Sequence, residues 1–222
     1  MIVFLQARVS SKRLPKKVLE KINNEEMFIK VYNCIKRSKK IQKIIVTTSK
    51  LKSDDKIVNI CKTKKIEYFR GHLSNVSKRI KDLIMKLNLK REYFIRISAD
   101  SPFIDFKLIE KFMEIYKKKK PDILTNVYKR TFPIGQSIEL IKTSFFIKHQ
   151  KKFKTQKDRE HVTPYFYRNF KNFKIINIKN KKNYSKINMS VDTYEDLKKI
   201  RNINKKVLNN KYISWKNLVS YF

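Results

Sequence analysis

Apolar runs alternate with helical patterns from one end of the chain to the other. Runs with strand character fall at 2–6, 43–48, 66–69, 93–98, 122–127, 137–141, 173–178 and 187–191, several of them rich in Ile, Val, Phe and Tyr. Between them apolar residues recur at helical spacing near 25–38, 54–64, 74–88, 105–119, 158–169 and 193–209. Asp54, Asp55 and Asp105 stand where two of these helices begin, as N-caps or first-turn acids. Strands alternating with helices of this length predict an α/β fold with a mostly parallel, layered sheet. The rhythm breaks at 122–141, where two strands are joined by KRTFPIG, and this predicts a small antiparallel excursion covering a site. No repeat, low-complexity tract or Pro/Gly/Ser linker divides the chain, so the pattern predicts a single domain over 1–222. Trp215, Tyr221 and Phe222 are expected to pack a C-terminal helix onto the sheet.

The unusual polar residues fall where strands end. The strand at 2–6 empties into a loop holding Arg8, Ser10, Ser11, Arg13 and Lys17, with Pro15 fixing the backbone just before Lys17. In an open α/β sheet, ligands bind outside the carboxyl ends of the strands. A cationic loop there suits a polyphosphate, held through charge-assisted hydrogen bonds. The other strand ends repeat the theme. Ser49 and then Asp54-Asp55 follow 43–48, Arg70-Gly71 follows 66–69, Ala99-Asp100-Ser101-Pro102 follows 93–98, and Asp192-Thr193 follows 187–191. Taken alone, Asp192 serves equally as a cap for the helix after it, and Asp100 as a cap for the turn before Pro102. Taken together at one sheet edge, two separated carboxylates facing a cationic loop suit a magnesium–nucleotide site. Mg²⁺ is usually held by one or two carboxylates plus phosphates. It orients phosphates and polarises an attacking hydroxyl, while the loop cations neutralise a leaving pyrophosphate. Neither a Walker A pattern nor GxGxxG is present, which argues against a P-loop ATPase and a dinucleotide oxidoreductase.

Composition changes this picture little. The 222 residues carry 55 Lys+Arg against 19 Asp+Glu, a net charge of +36. Such a balance normally points to nucleic acid or an anionic surface. Here the excess is mostly lysine, scattered along the whole chain, with only two glycines and abundant Lys, Ile and Asn. That is the signature of adenine- and thymine-rich coding. It predicts a solvated lysine surface that draws in anionic small substrates, with no specific nucleic acid as partner. No segment approaches the roughly 18–20 apolar residues of a membrane span, and no secretory pattern opens the chain, so no membrane insertion and a cytoplasmic location are expected. Cys34 and Cys61 form neither a disulfide framework nor a metal spacing and are expected to be buried. His72 and His149 have no partner at metal spacing and are expected to be surface or core residues.

Here the residues meet a known pattern. Gln6-Ala7-Arg8-x-x-Ser11-x-Arg13-Leu14-Pro15-x-Lys17-Val18-Leu19 resembles the signature of the cytidylyltransferases that make CMP-activated acidic sugars. The nearest branch is the SpsF-like group, related to CMP-KDO and CMP-acylneuraminate synthetases. Phe69-Arg70-Gly71 with Asn75-Val76 and Arg79 resembles its FRG…DVLxR element, and 96–105 resembles RITGDCPLID. Residues 159–165 resemble REHVTPY, and 191–197 resemble VDTPEDL. The likeness covers nearly the whole chain. It implies a Rossmann-like sheet of the nucleotide-diphospho-sugar transferase type, a Mg²⁺ cofactor, and transfer of CMP from CTP to a sugar acid with release of pyrophosphate, for surface glycan synthesis. It implies that Arg8, Ser11, Arg13 and Lys17 hold the CTP phosphates. The backbone from Leu5 to Ala7 and the side chain of Arg79 would seat the nucleotide. Asp100, which would also meet the nucleotide, and Asp192 would bind Mg²⁺ and, with Arg8 and Lys17, form the catalytic set. Glu139 and His161 would face the sugar, although His161 equally suits a role in orienting its own helix. Ser10, Lys16 and Ala99 sit where the family often has glycine, Asn75 replaces an acid, and Gln136 lies where an acidic or small residue is often found. Related enzymes pair through the excursion, so a homodimer is expected, with the apolar residues Ile123, Leu124, Val127, Phe132, Ile134, Phe145 and Phe146 of 122–147 as its motivation. A nucleic-acid-binding protein, and a glycosyltransferase or another nucleotidyltransferase on a similar sheet, are the alternatives.

Overall fold

The computed structural model describes residues 1–89, 93–207 and 212–222. The chain opens with β1 (Ile2–Gln6), passes a small hairpin, β2 (Lys21–Ile22) and β3 (Glu25–Glu26), and enters α1 (Met27–Lys36). Two strand–helix units follow: β4 (Lys43–Ser49) with α2 (Asp55–Thr63), and β5 (Tyr68–Gly71) with α3 (Val76–Lys86). Next come β6 (Tyr93–Ser98), α4 (Phe106–Lys119), β7 (Ile123–Thr125), β8 (Glu139–Lys142) and α5 (Thr143–Gln150). The C-terminal part holds α6 (Gln156–His161), α7 (Pro164–Arg168), β9 (Ile175–Asn177), α8 (Tyr194–Lys206) and α9 (Trp215–Leu218).

Seven strands form one sheet in the order β5-β4-β1-β6-β8-β7-β9. The first four are parallel, β8 runs antiparallel to both neighbours, and β9 is parallel to β7. The chain winds from β1 out to β5, then crosses back to place β6 on the other side of β1. The winding direction therefore reverses between β1 and β6, the position where α/β sheets open a crevice. Gln6 lies opposite Thr47 on one side and Ser98 on the other, so β1 and β6 end level while β4 runs two residues further.

Both faces of the sheet are covered, which is why its strands read as continuous apolar runs. Val3 and Leu5 face a cluster that includes Phe28, Ile57, Cys61 and Phe112 from α1, α2 and α4. Phe4 faces the other side, with Ile80 and Leu83 of α3, Phe146 of α5 and Phe166 of α7. Burial pushes the Cys61 thiol up to about 12, so it is inert, while Cys34 is half-buried. A third cluster packs α8 (Leu197, Ile200, Ile203) on Ile22, Met27, Met189 and Val191.

Several expectations change. Residues 187–191 are not a sheet strand. They form an extended strap joined to Ile134 by two backbone hydrogen bonds, Ile134 N to Ile187 O at 2.9 Å and Met189 N to Ile134 O at 2.8 Å. Gly135 makes that approach feasible: its φ is +94°, and a Cβ there would sit 2.7 Å from the Met189 carbonyl carbon. The helix α5 falls in a stretch given no element from the sequence; it closes an aromatic cluster of Phe145, Phe166 and Phe173. The helix expected at 158–169 is two helices, broken at Val162. Residues 208 and 209 of the helix expected to reach 209 lie outside the described residues. In the excursion, Ile123, Leu124, Phe132, Phe145 and Phe146 are buried within the protomer, and of the seven only Ile134, at 39% exposure, is an exposed side chain. Those residues complete the core, so their apolar character is not an argument for pairing. At the C-terminus Trp215 packs on Phe132 and Tyr184 and Phe222 on Phe103, as expected, whereas Tyr221 is exposed.

Candidate active site

The loop after β1 is held from beneath by a buried acid. Asp54 was expected to cap a helix; instead it accepts hydrogen bonds from Val9 N at 2.9 Å, Ser49 N at 3.0 Å and Ser49 Oγ at 2.5 Å. The ends of β1 and β4 are thereby locked together with no ligand needed. The loop closes through Lys16 N to Val9 O at 2.9 Å. Lys16 sits at φ 60°, ψ 15°, a left-handed conformation suited to glycine. Ser10 and Ala99, also at positions where glycine was expected, keep negative φ, so their side chains carry no backbone strain.

Above this loop, at the switch between β1 and β6, lies a cavity of about 840 Å³. Ala7, Arg8, Ser11, Arg13 and Lys17 line it, as do Arg79, Asp100, His161 and Asp192. Leu5 does not: it is buried in the core between Val46 and Ile97, and the cavity wall begins at Gln6.

Arg79 is the most telling wall residue. It is only 1% exposed, and among the described residues no carboxylate pairs with it. Its Nη1 donates to His72 O at 3.0 Å, and its Nε has no partner. Burial, reinforced by the nearby Arg8 charge and opposed by Asp54, lowers its pKa to about 10. Gly71 makes room for it, since a Cβ there would fall 2.5 Å from the Arg79 Cγ. A buried guanidinium without a counter-ion is expensive, and an anion in the cavity removes that cost. Asn75, the residue that replaces an acid, caps α3 by accepting from Lys78 N at 2.9 Å.

In the same cavity, Lys17 Nζ contacts Asp100 Oδ2 at 2.7 Å, Asp192 Oδ1 at 2.8 Å and the Val191 carbonyl at 2.8 Å. Burial lowers the Lys17 pKa, but Asp100 and Asp192 outweigh it and leave the group raised. Arg13, 68% exposed along its side chain, reaches Asp192 Oδ2 at 3.0 Å. Asp192 is not a helix cap. Thr193 caps α8, in a reciprocal pair with Asp196, which also accepts from the Asp192 amide. Its carboxylate is therefore left for the cavity. Arg8 pairs with Glu160 at 2.5 Å; that bond, against the opposing effect of burial, holds the Glu160 carboxyl below its usual range.

A second cavity of about 490 Å³ adjoins the first and shares Arg96, Ser98 and His161 with it. Glu139 and His161, the two residues expected to face the sugar, both line it. Glu139 is 2% exposed and already committed: it accepts from Arg96 Nη1 at 2.5 Å, Thr163 Oγ1 at 2.7 Å and Tyr167 OH at 2.6 Å. Burial and the Glu139 charge push the Tyr167 phenol well above its ordinary value. Val162 holds φ 74°, ψ −49°, and Thr163 N bonds His161 O at 2.9 Å. This tight three-residue turn is strained for a β-branched residue. It breaks α6 from α7, putting exposed His161 on the shared wall and Thr163 on Glu139. Gln136, by contrast, is away from the cavity, its amide tying Asp105 N and Phe103 O. His72 and His149 are structural, His72 accepting from Asn75 N and His149 packing on Phe145 and Phe173.

Glu160, Arg96 and Tyr167 were not singled out from the sequence. Arg96 left one signal, a lone charge inside an apolar strand. Glu160 lay in the element resembling REHVTPY without being assigned a role, and Tyr167 left no signal, because the helix pattern there reads as continuous.

A cationic cleft at the switch point of a mostly parallel sheet defines a nucleotide-handling α/β protein. More closely, the chain belongs to the cytidylyltransferase family, whose model matches residues 2–216. It is 27% identical to a cytidylyltransferase from Leptospira borgpetersenii, with a TM-score of 0.91 over 99% of this chain and 92% of that one. It is 26% identical over 171 residues to the spore coat polysaccharide biosynthesis protein SpsF of Bacillus subtilis, 74% of this chain and 69% of that one. It also shares the fold of CMP:2-keto-3-deoxy-manno-octonic acid synthetase, solved with CTP, at a TM-score of 0.71 and 12% identity over 92% of this chain and 98% of that one. The protein is thus a cytidylyltransferase on the fold the sequence pattern predicts.

Proposed function

We propose that this cytidylyltransferase transfers CMP from CTP to a sugar acid with the help of Mg²⁺, releasing pyrophosphate, and that residues 1–222 act as one catalytic domain. The observation that carries the reading is the cavity's charge set: a buried Arg79 with no carboxylate paired to it, and Asp100 and Asp192 converging on one cation, Lys17, with Arg8 and Arg13 in the same lining. Among the described residues no group of three or more His, Cys, Asp or Glu could hold a metal. Two carboxylates and a carbonyl are hard oxygen donors, however, and suit Mg²⁺ completed by phosphate oxygens. When bound there, Mg²⁺ would supply charge neutralisation on the reacting phosphates and alignment of the sugar hydroxyl.

The chain's own residues do the rest. Arg8, Ser11, Arg13 and Lys17 would grip the triphosphate, and Arg79, near Arg8, would meet it in the same cavity. Those cations stabilise the charge that develops on the leaving pyrophosphate. The second cavity would hold the acceptor so that its hydroxyl faces the α-phosphorus, a largely positional effect. Lys157, Arg168 and Arg96 line this cavity, Arg168 being paired with Asp158 and Arg96 with Glu139, so Lys157 is the lining cation that would meet an acidic sugar. Likeness to SpsF and to a synthetase named for a sugar acid supports a glycan precursor as product. Glu139 would act by fixing Arg96, Thr163 and Tyr167 rather than by meeting the sugar as a free carboxylate. The family resemblance further implies a homodimer working in the cytoplasm. Sedimentation that finds only monomer at micromolar concentration removes the dimer.

The test is pyrophosphate release from CTP with a panel of sugar acids. Turnover with at least one of them is expected, and Arg8→Ala is expected to weaken CTP binding. No turnover and no CTP binding across the panel overturns the reading.

A further inference from the structure

The oxygens proposed to hold the metal already surround a cation. Lys17 Nζ lies within 2.8 Å of Asp100 Oδ2, Asp192 Oδ1 and the Val191 carbonyl, so each of its N–H donors has an acceptor. The side chain is only 11% exposed, and Arg13 covers the second Asp192 oxygen. An ammonium and a divalent ion cannot share this cage, since like charges at such separations repel strongly. The side chains occupying it, Lys17 and Arg13, are also the ones that would grip the triphosphate.

We infer that Lys17 is a built-in counter-cation that keeps the divalent metal out until nucleotide phosphates draw it off the carboxylates. The inference rests on the metal reading of Asp100 and Asp192 and adds an order to it. Triphosphate offers Lys17 and Arg13 a stronger anionic partner, they swing to it, and the vacated oxygens accept the metal. Nucleotide and metal then bind with positive coupling, which is reciprocal by linkage. The device also explains why two carboxylates tolerate each other across an otherwise cationic cavity before substrate arrives.

The experiment measures Mn²⁺ binding to the full chain without nucleotide, by the free-ion electron paramagnetic resonance signal, with circular dichroism melts to confirm folding. Wild type should bind weakly. Lys17→Met should bind at least tenfold more tightly, and the gain should vanish in Lys17→Met with Asp100→Asn. Lys12→Met removes the same charge from the same cavity, where Lys12 is an exposed wall residue with no role assigned above. It should change affinity by no more than about twofold. Arg13→Met, at an exposed position, should give a smaller gain than Lys17→Met and carries the test if the lysine variant does not fold. Lys17→Met binding no tighter than wild type, or Lys12→Met matching it, overturns the inference. If, in that case, Asp100→Asn still weakens Mn²⁺ binding in the presence of CTP, the metal site stands and only the order fails. If Asp100→Asn changes nothing there, both fail.

Discussion

The two adjoining cavities handle charge in opposite ways. In the first, Arg8, Arg13 and Lys17 hold Glu160, Asp192 and Asp100 through ion pairs with partly exposed partners. Water or phosphate can take over either end, and the more exposed of these pairs, those of Arg8 and Arg13, contribute little to stability. In the second, Glu139 is sealed from water, and three donors converge on it. Nothing there is free to exchange. The first cavity is arranged to rearrange around a highly charged ligand. The second is a fixed frame whose shape is set before the ligand arrives.

Asp100→Asn tests the exchangeable side most severely. Turnover should fall by about 10²–10³-fold, the scale of losing one preorganised electrostatic group. Unfolding should shift by only a few degrees, about one kcal/mol in a chain of this size. Steady-state rates and a thermal melt on one preparation check both; a large loss of stability would mean that Asp100 belongs to the fixed frame.

Glu139→Gln tests the other side. One amide end would confront donors and leave Arg96 unpaired, at a cost of roughly 1–3 kcal/mol. Acceptor KM should rise while CTP affinity, read by calorimetry, stays at the wild-type value. Weakened CTP binding would show that the two cavities are not separable.

The Lys17 contact sharpens the contrast through pH. Its folded pKa is raised above the usual 10.5. Its stabilisation is therefore fully present below 10.5 and is lost as pH rises through the folded value. The melting-temperature gap between wild type and Lys17→Met should stay level from pH 7 to 10 and shrink at higher pH. A gap that closes near neutral pH would show that another group governs the contact.

The smallest effect is expected at Lys16. Its left-handed backbone costs roughly 1 kcal/mol, and glycine recovers part of that against its own greater freedom when unfolded. Lys16→Gly should stabilise by less than about 1 kcal/mol in urea unfolding, with unchanged turnover. A destabilised variant would mean that the Lys16 side chain holds the loop.

The sheet and the cationic edge were legible because both are local. Apolar runs mark strands buried on two faces, and polar residues after them mark the sheet's open edge. Arg8, Arg13, Lys17, Asp100 and Asp192 come together as the strand ends required. What was hidden is relational. The strap at 187–191 has the composition of a strand, but a place at Gly135 and Ile134 is decided by packing. The break at Val162 interrupts no periodicity; only Pro164, placed at the first turn of α7, marks a helix start there. The role of Asp54 could not be separated from capping, since the same residue type at the same position does both. Glu139 was found as a residue of the second cavity, yet its burial, and hence its commitment to Arg96 and Tyr167, depends on neighbours far along the chain.

The contact around Lys17 joins partners 83 and 175 positions away. During synthesis the lysine and its first aspartate are present long before the strap and its second aspartate are made. Long-range contacts of this kind form late. The cage is thus completed only once residues 191 and 192 have been made, and a growing chain that stops short of them holds only half of it.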